Sequence, residues 1–240
     1  MKTNNSIINQ KNLLDKSVKI SLSVQILAGI ISVIGLFIKV KKEDIILTKI
    51  LLIDTIVQCI EFIFYIYLAN NLYTLNNNVI ASQRYFDWVI TTPIMLYSTV
   101  LYMEYENNLV NKRENIVTIE SINKKYGKDI IYILLFNFGM LLFGYLGEIN
   151  FINKEIGIPI GFIFFGLSFN KIWEVFAKTS NISRILFYIL ILVWGLYGIA
   201  AMFSVLPKNI MYNILDIFSK NFYGLFIFYL ILSKNQFKIV

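Results

Sequence analysis

The chain is dominated by long apolar runs, each of which is long enough to cross a membrane. A span of roughly 20 apolar residues covers the hydrocarbon core of a bilayer. Seven such runs are present: Ile20–Ile38, Ile45–Leu68, Phe86–Met103, Ile130–Leu146, Ile156–Phe176, Ile185–Leu206 and Ile210–Leu232. The runs do not alternate polar and apolar residues, as the strands of a membrane barrel do. We therefore predict an all-α bundle of seven transmembrane helices that forms one domain over residues 1–240.

The composition supports this prediction and excludes several classes of function. Apolar residues make up 57% of the chain and the mean hydropathy is +0.65, unlike an ordinary soluble domain. The net charge of +7 does not indicate nucleic-acid binding, because the basic residues flank the spans instead of clustering. The chain has no histidine and a single cysteine, Cys59, so we expect no metal site, no Ser-His-Asp catalysis and no disulfide scaffold. We predict a protein that is not an enzyme and whose main surroundings are the lipid bilayer.

Basic residues in the loops predict the orientation of this multi-pass integral membrane protein. The first, third and fifth loops and the C-terminal tail are rich in Lys and Arg, whereas the loop 70–79 carries no charge. This places the N-terminus outside and the C-terminus in the cytoplasm. The polar start, Met1 to Lys19, lacks the apolar core of a cleavable signal. Residues 104–128 are predicted as a longer cytoplasmic loop, with Ile116, Ile119 and Ile122 on a short amphipathic surface helix.

Two of the runs carry ionisable residues at membrane depth, where such groups are expensive and need partners. Arg84 and Asp87 stand at the mouth of the third run, and Asp216 and Lys220 lie four apart in the last. Residues four apart share one face of a helix. We therefore expect two carboxylates and an arginine to converge on one buried lysine. A charged cofactor linkage inside a bilayer requires such an arrangement.

The second run contains a polar stripe. Asp54, Gln58, Glu61 and Tyr65 follow one another at i, i+4, i+7 and i+11, which places them on one helix face. The stripe predicts a wet or proton-carrying face inside the bundle, because a polar stripe facing lipid would be costly. Alternatively, Asp54 lies near the lipid headgroups and Glu61 is capped by a neighbouring hydroxyl.

The third and last runs resemble two helices of the microbial (type 1) rhodopsins. The motif Arg84-Tyr85-x-Asp87-Trp88-x-x-Thr91-Thr92-Pro93 is similar to their third helix, and Asp216-x-x-x-Lys220 to their seventh. The resemblance implies that Lys220 forms a Schiff base with all-trans retinal, that Asp87 is the counterion and proton acceptor, and that Asp216 is a second counterion. Arg84 would be the extracellular gate, in a hydrogen-bond network with Thr91. The residues that match the family's retinal pocket are Tyr85, Trp88, Thr92, Met95, Met140, Gly144, Phe165, Trp194 and Tyr197.

One departure from the family's pattern concerns the proton donor. The three positions that sort these proteins are Asp87, Thr91 and Ser98, and in outward proton pumps the last is usually a carboxylate. Ser98 has no carboxyl group and cannot act as this proton donor. An Asp–Thr–Ser triplet is similar to that of a group of rhodopsins from giant viruses, which implies the membrane of a host cell as the location. We expect further copies of the chain as partners and identify no transducer.

Three functions are compatible with these residues. The favoured one is an outward light-driven proton pump; the alternative is a light-gated cation channel, and the third is a sensory rhodopsin. For a pump, we hypothesise that Asp54 is a relocated donor, hydrogen-bonded through Ser98 or a water, with Tyr65 (or Tyr67) opposite the retinal. Glu61 would be the next step of the proton relay, or the constriction of a channel.

Overall fold

The computed structural model describes the backbone of residues 2–74, 77–112 and 116–234, and the side chains of these ranges from residue 11 onward, residues 77 and 78 excepted. Seven long helices form one bundle in the described part of the chain. They are α1 (Lys2–Gly35), α2 (Ile45–Asn71), α3 (Asn77–Val110), α4 (Ile119–Glu148), α5 (Lys154–Ala177), α6 (Asn181–Ala201) and α7 (Val205–Ser233). A short 3₁₀ turn, Lys42–Asp44, precedes α2. The predicted seven-helix architecture is confirmed.

Six of the seven helices are long and apolar enough to span a membrane, and α3 is the exception among the described helices. It spans 34 residues but carries the charged residues of the motif that begins at Arg84. Large apolar side chains cover much of the outer surface; Phe37, Ile63 and Tyr229, for example, are more than half exposed. Charged side chains such as Arg84, Asp54 and Lys220 are buried instead. Apolar outside and polar inside is the distribution that a lipid environment requires.

The predicted loop over residues 104–128 is wrong in extent. The helix α3 continues to Val110 and α4 begins at Ile119, which leaves a short connection whose residues 113–115 lie outside the described part. Thr118 and Ser121 form a capping box at the start of α4, in which each side chain accepts from the other's backbone N–H. Ile122 is buried in the core. The isoleucines therefore belong to the first turn of α4 and its approach, and not to a separate surface helix.

The last helix changes its pitch at its centre. Residues Ile217–Asn221 form a π-helical turn between two α-helical halves, Val205–Asp216 and Phe222–Ser233. A single π turn inside an α-helix is frequent at functional sites, because the extra residue rotates the following side chains relative to the preceding ones. Lys220 lies in this turn. We call the end of the bundle beyond Arg84 the Arg84 side and the opposite end the Asp54 side; their orientation in the membrane stays a prediction.

Candidate functional site

Lys220 lies at the centre of the bundle, fully buried and surrounded by three carboxyl groups. Its Nζ atom lies 2.6 Å from Asp87 Oδ2, 3.4 Å from Asp216 Oδ1 and 3.8 Å from Glu61 Oε1. The three carboxyl groups come from α3, α7 and α2, so packing of these helices brings them together. Only Asp87 is close enough for a short, charge-assisted hydrogen bond.

Asp216 is held by a set of donors from other helices. Its Oδ2 accepts from the Tyr65 hydroxyl at 2.8 Å and from the Arg84 guanidinium at 3.1 Å. Its Oδ1 accepts from the Tyr197 hydroxyl at 2.7 Å. A buried carboxylate with an arginine partner and two hydroxyl donors has its lone pairs satisfied, which is what makes a buried ion pair tolerable. Tyr65, and not the exposed Tyr67, is thus the tyrosine of α2 that faces the site.

Arg84 is fully buried and fixed by asparagines of α7. It donates to the Asn213 side-chain oxygen and, at 3.4 Å, to that of Asn209. The sequence predicted that Arg84, Asp87 and Asp216 meet Lys220, and the structure places them together. The sequence analysis did not identify Asn209 and Asn213. Their spacing from Asp216, seven and three residues, nevertheless places them on the same helix face.

The polar stripe of α2 lies inside the bundle over its whole length. Asp54 and Glu61 are both 0% exposed, so Asp54 is enclosed by protein and not placed at a lipid headgroup. Glu61 Oε2 accepts from the Asn221 amide at 3.3 Å, which replaces the hydroxyl cap considered from the sequence. Asp54 Oδ2 accepts from Gln58 at 3.0 Å.

Asp54 is not hydrogen-bonded to Ser98 in the structure, and the alternative link through a water stays a prediction. The Ser98 hydroxyl donates instead to the backbone oxygen of Met95 at 2.9 Å, the usual way for a serine to satisfy its donor within a helix. Thr91 does the same to the backbone oxygen of Asp87 at 2.9 Å. The structure therefore leaves a gap between the α2 stripe and α3 that Asp54 and Ser98 do not close by themselves.

A pocket adjoins Lys220 between α3, α4, α5, α6 and α7. It holds about 750 Å³ of empty space, its open part included. All nine residues predicted for the pocket line it. The sequence did not identify the further lining residues Leu141, Ile158, Gly161, Phe162, Gly198, Ala201, Tyr212 and Ser219.

The pocket suits a flat, conjugated and largely apolar molecule attached at Lys220. Near the lysine, Trp88 packs edge-on against Tyr197 and Tyr212, with ring centroids 5.3 and 4.9 Å apart. Farther along, a Cβ atom added at Gly144 would lie 2.8 Å from the Tyr85 hydroxyl, so glycine at this position makes room for the Tyr85 side chain. Aromatic walls with one charged end match an apolar polyene bearing a cationic linkage.

A seven-helix membrane bundle with a buried lysine, its counter-charges and an aromatic pocket defines the class of retinal-binding membrane proteins. The comparison of sequences agrees: residues 16–234 match the model of the bacteriorhodopsin-like protein family, and the chain belongs to that family. It is a multi-pass integral membrane protein, and the family's cofactor, covalently bound retinal, fits the pocket described above.

Relatives and solved structures support the same assignment. The crystal structure of the viral rhodopsin OLPVRII shares 32% sequence identity with this chain and superposes on it with a TM-score of 0.79. The alignment covers 92% of this chain and 98% of the OLPVRII chain. This agrees with the viral subgroup predicted from the Asp–Thr–Ser triplet. Xanthorhodopsin, described as a light-driven ion pump with dual chromophore, shares the fold at 18% identity and a TM-score of 0.73, with 95% and 96% of the two chains covered.

Among curated proteins, the green-light absorbing proteorhodopsin of gamma-proteobacterium EBAC31A08 is 22% identical over 170 residues. The match covers 64% of this chain and spans 62% of the length of that relative.

Proposed function

We propose that this chain is a light-driven ion transporter, specifically an outward proton pump whose retinal is attached to Lys220. The observation that supports this best is the 2.6 Å contact between Lys220 Nζ and Asp87 Oδ2. A proton acceptor has to lie within hydrogen-bond reach of the proton it takes. Glu61 and Asp216 lie farther from the lysine nitrogen and are held by Asn221 and by Arg84, respectively.

Retinal attached to Lys220 would supply the light-driven change. Asp87 accepts the proton of the Lys220 nitrogen. Asp216 stays charged beside Arg84 and stabilises the cationic state of the site before the transfer. Arg84, fixed by Asn209 and Asn213, separates the site from the Arg84 side, which is the predicted extracellular end. A positive charge there raises the barrier to proton passage at this point in both directions.

The return of a proton from the predicted cytoplasmic side is assigned to Asp54. Ser98 cannot carry the exchangeable proton, whereas Asp54 is a carboxyl group buried on the Asp54 side, with one oxygen bound to Gln58. Desolvation without a cationic partner favours the neutral carboxylic acid, which is the form a donor needs at rest.

A light-gated cation channel is the second candidate, and one observation favours it. Several buried oxygens along α1, α2 and α7 have no hydrogen-bond partner among the described residues: Gln25 Oε1, Ser32 Oγ, Asp54 Oδ1, Gln58 Oε1 and Asn221 Oδ1. Buried polar atoms are normally satisfied by protein or water. A row of such acceptors beside Glu61 is the lining that a hydrated cation path requires, with Glu61 and Lys220 as its narrow point.

Photocurrent recording against membrane voltage separates the two candidates. A pump is expected to give current of one sign over the whole voltage range, with acidification of the outside on illumination. Current that reverses sign at a voltage that follows the cation gradient would show a channel. Glu61→Gln in the same recording should leave a pump current's sign unchanged and should alter the selectivity of a channel.

A further inference from the structure

A groove lies between α1 and α2 on the outer face of the bundle, apart from the pocket at Lys220. It holds about 790 Å³ of empty space, its open part included. Exposed apolar side chains of α1, among them Ile30 and Ile34, form one wall, and the exposed Cys59 lies on the α2 side. Exposed apolar residues of a membrane bundle face lipid, so the groove opens toward the hydrocarbon of the bilayer.

Two buried glutamines give this groove a polar floor. Gln25 of α1 and Gln58 of α2 both line it, and each is 3% exposed. Their amide nitrogens are used within the protein: Gln25 Nε2 donates to Ser21 at 3.2 Å, and Gln58 Nε2 donates to Asp54 at 3.0 Å. Their Oε1 atoms have no hydrogen-bond partner among the described residues. The two glutamines therefore present unused acceptors to the groove and no unused donor.

The backbone of α1 passes close to the Gln58 oxygen at Gly29. A Cβ atom built on Gly29 would lie 4.0 Å from Gln58 Oε1, and glycine places no side chain over that oxygen. The hydroxyl of Thr55, which also lines the groove, donates to the backbone oxygen of Leu51 at 2.7 Å. A buried polar atom without a partner costs free energy, and hydrocarbon offers no water to satisfy it. A molecule in the groove is therefore stabilised if it brings a hydrogen-bond donor.

We propose that this groove binds a neutral, membrane-dissolved alcohol, whose hydroxyl donates to the unused oxygens of Gln58 and Gln25 and whose apolar body lies along α1. An anion finds no donor on these glutamines. A cation is disfavoured, because no carboxylate is among the described residues that line the groove. Residues 25–34 of α1 rise by about 14 Å, close to half of the roughly 30 Å hydrocarbon core. The apolar body is thus a single chain of medium length.

The experiment is photo-crosslinking of the dark-adapted, full-length protein with retinal in phosphatidylcholine vesicles. The probe is octan-1-ol with a diazirine on its chain, and mass spectrometry maps the adducts after activation. We expect adducts at groove residues such as Ile30 and Cys59, and protection by excess octan-1-ol. The readout is binding, so it does not depend on whether the chain is a pump or a channel.

The role of the hydroxyl is tested with 1-methoxyheptane, which has as many non-hydrogen atoms as octan-1-ol but no donor hydrogen. Compared at equal concentrations in the bilayer, about three- to tenfold more of the ether should be needed for the same protection, the factor that corresponds to one hydrogen bond. Equal protection by the alcohol and the ether would overturn the inference, because the groove would then accept any apolar molecule.

Substitutions test the two acceptors. Gln58→Leu and Gln25→Leu each remove one oxygen and keep a side chain of similar size, so the preference for the alcohol should fall in each variant and vanish in the double variant. The matched control is Gln83→Leu on α3, which removes a glutamine outside the groove whose Oε1 also lacks a partner in the described part of the chain. This control should keep the wild-type preference.

A bulky side chain tests the location. Cys59→Phe fills the groove and leaves both glutamines in place, so labelling should be lost. Labelling that persists in this variant, adducts outside the groove, or a preference for the alcohol that persists in the double glutamine variant would each overturn the inference. Absence of groove adducts in the wild type would do the same, and would leave water, lipid chains or a second copy of the chain as the occupant. If the glutamine variants fail to fold, the comparison of alcohol and ether in the wild type still decides.

Discussion

On the Arg84 side of Lys220, most buried polar groups satisfy one another, with Gln83 Oε1 as an exception, whereas on the Asp54 side several have no partner among the described residues. Arg84, Asp216, Tyr65 and Asn213 are joined by hydrogen bonds contributed by α2, α3 and α7. Beyond Lys220, some buried oxygens have no hydrogen-bond partner in the described part of the chain: single oxygens of Ser32, Asp54, Gln58 and Asn221, and the hydroxyl of Tyr223. Both regions are fully buried, so exposure to solvent does not explain the contrast.

The contrast shows how one bundle can combine a fixed charge with a mobile proton. A satisfied network is rigid, because each displacement costs several hydrogen bonds at low dielectric. The Arg84 side can therefore hold Asp216 charged and in place. Groups with unused lone pairs accept new partners at little cost, and a path for protons or ions needs such groups. The predictions below test this division of roles, in order of decreasing effect.

The largest effect is expected at Lys220 itself. Lys220→Ala should abolish covalent binding of retinal, because the pocket would then lack its attachment point. The control is Lys208→Ala, which removes the other buried lysine of α7, paired with Glu148 at 2.5 Å near the end of the Arg84 side. Absorption after denaturation in acid measures the covalent linkage. A visible band that persists in Lys220→Ala and is lost in Lys208→Ala would reverse the assignment.

Next in size is the effect of Asp87→Asn. The change removes the carboxylate that contacts Lys220 at 2.6 Å and keeps the shape of the side chain. We expect a shift of the absorption to longer wavelength, because a weaker negative charge next to the linked nitrogen lets its positive charge spread along the polyene. Light-driven proton release should be lost. Asp129→Asn, which removes a carboxylate of a surface pair with Lys171, is the control. A wild-type spectrum in Asp87→Asn would transfer the counterion role to Asp216.

Arg84→Gln tests the rigidity of the satisfied network. Removing one partner of a buried ion pair leaves the other charge uncompensated and costs about 3–5 kcal/mol of stability. The variant should therefore lose its colour at a clearly lower temperature than wild type. Arg184→Gln, at an exposed position near the start of α6, should behave as wild type. Equal thermal stability of all three proteins would show that the Asp216 network is not the rigid part of the bundle.

The sequence predicts the parts of this site that local spacing determines. Asp216 and Lys220 share a face because they are four apart, and Arg84 and Asp87 because they are three apart on α3. The sequence could not predict that Glu61 joins the cluster of carboxyl groups around Lys220. The position of Glu61 depends on how α2 is rotated and shifted along α7, and a rotation of one residue would turn the stripe away. The close approach of α1, α2 and α7 at Gly224, where an added Cβ atom would lie 3.2 Å from Ser32 Oγ, is likewise visible only when three helices are packed.

The wrong prediction of a loop over residues 104–128 also arises because helix packing cannot be predicted from local spacing. Isoleucines three apart fit both a short surface helix and the first turn of a long one. The charges of Lys124, Lys125 and Lys128 favoured a loop, but the lysine side chains of a helix end can extend away from the apolar region and leave the helix intact. Lys125 does this and pairs with Glu104 at 3.4 Å. Packing of Ile122 against the core decides between the two structures, and packing is not encoded in local spacing.

The smallest predicted effect compares two serines of α1, both 0% exposed. On the Arg84 side, Ser21 donates to the backbone oxygen of Asn213 at 3.2 Å and accepts from Gln25 at 3.2 Å. Ser32, on the Asp54 side, has no partner for its hydroxyl among the described residues. Ser21→Ala removes two hydrogen bonds and leaves buried groups unpaired, which should cost about 1–3 kcal/mol. Ser32→Ala removes a hydroxyl that forms no hydrogen bond with the residues the structure describes, so its effect on stability should stay within about 0.5 kcal/mol and can be favourable. Thermal bleaching of the two variants and wild type in the same lipid measures the difference in stability. If Ser32→Ala loses as much stability as Ser21→Ala, or more, the Asp54 side is as tightly bonded as the Arg84 side.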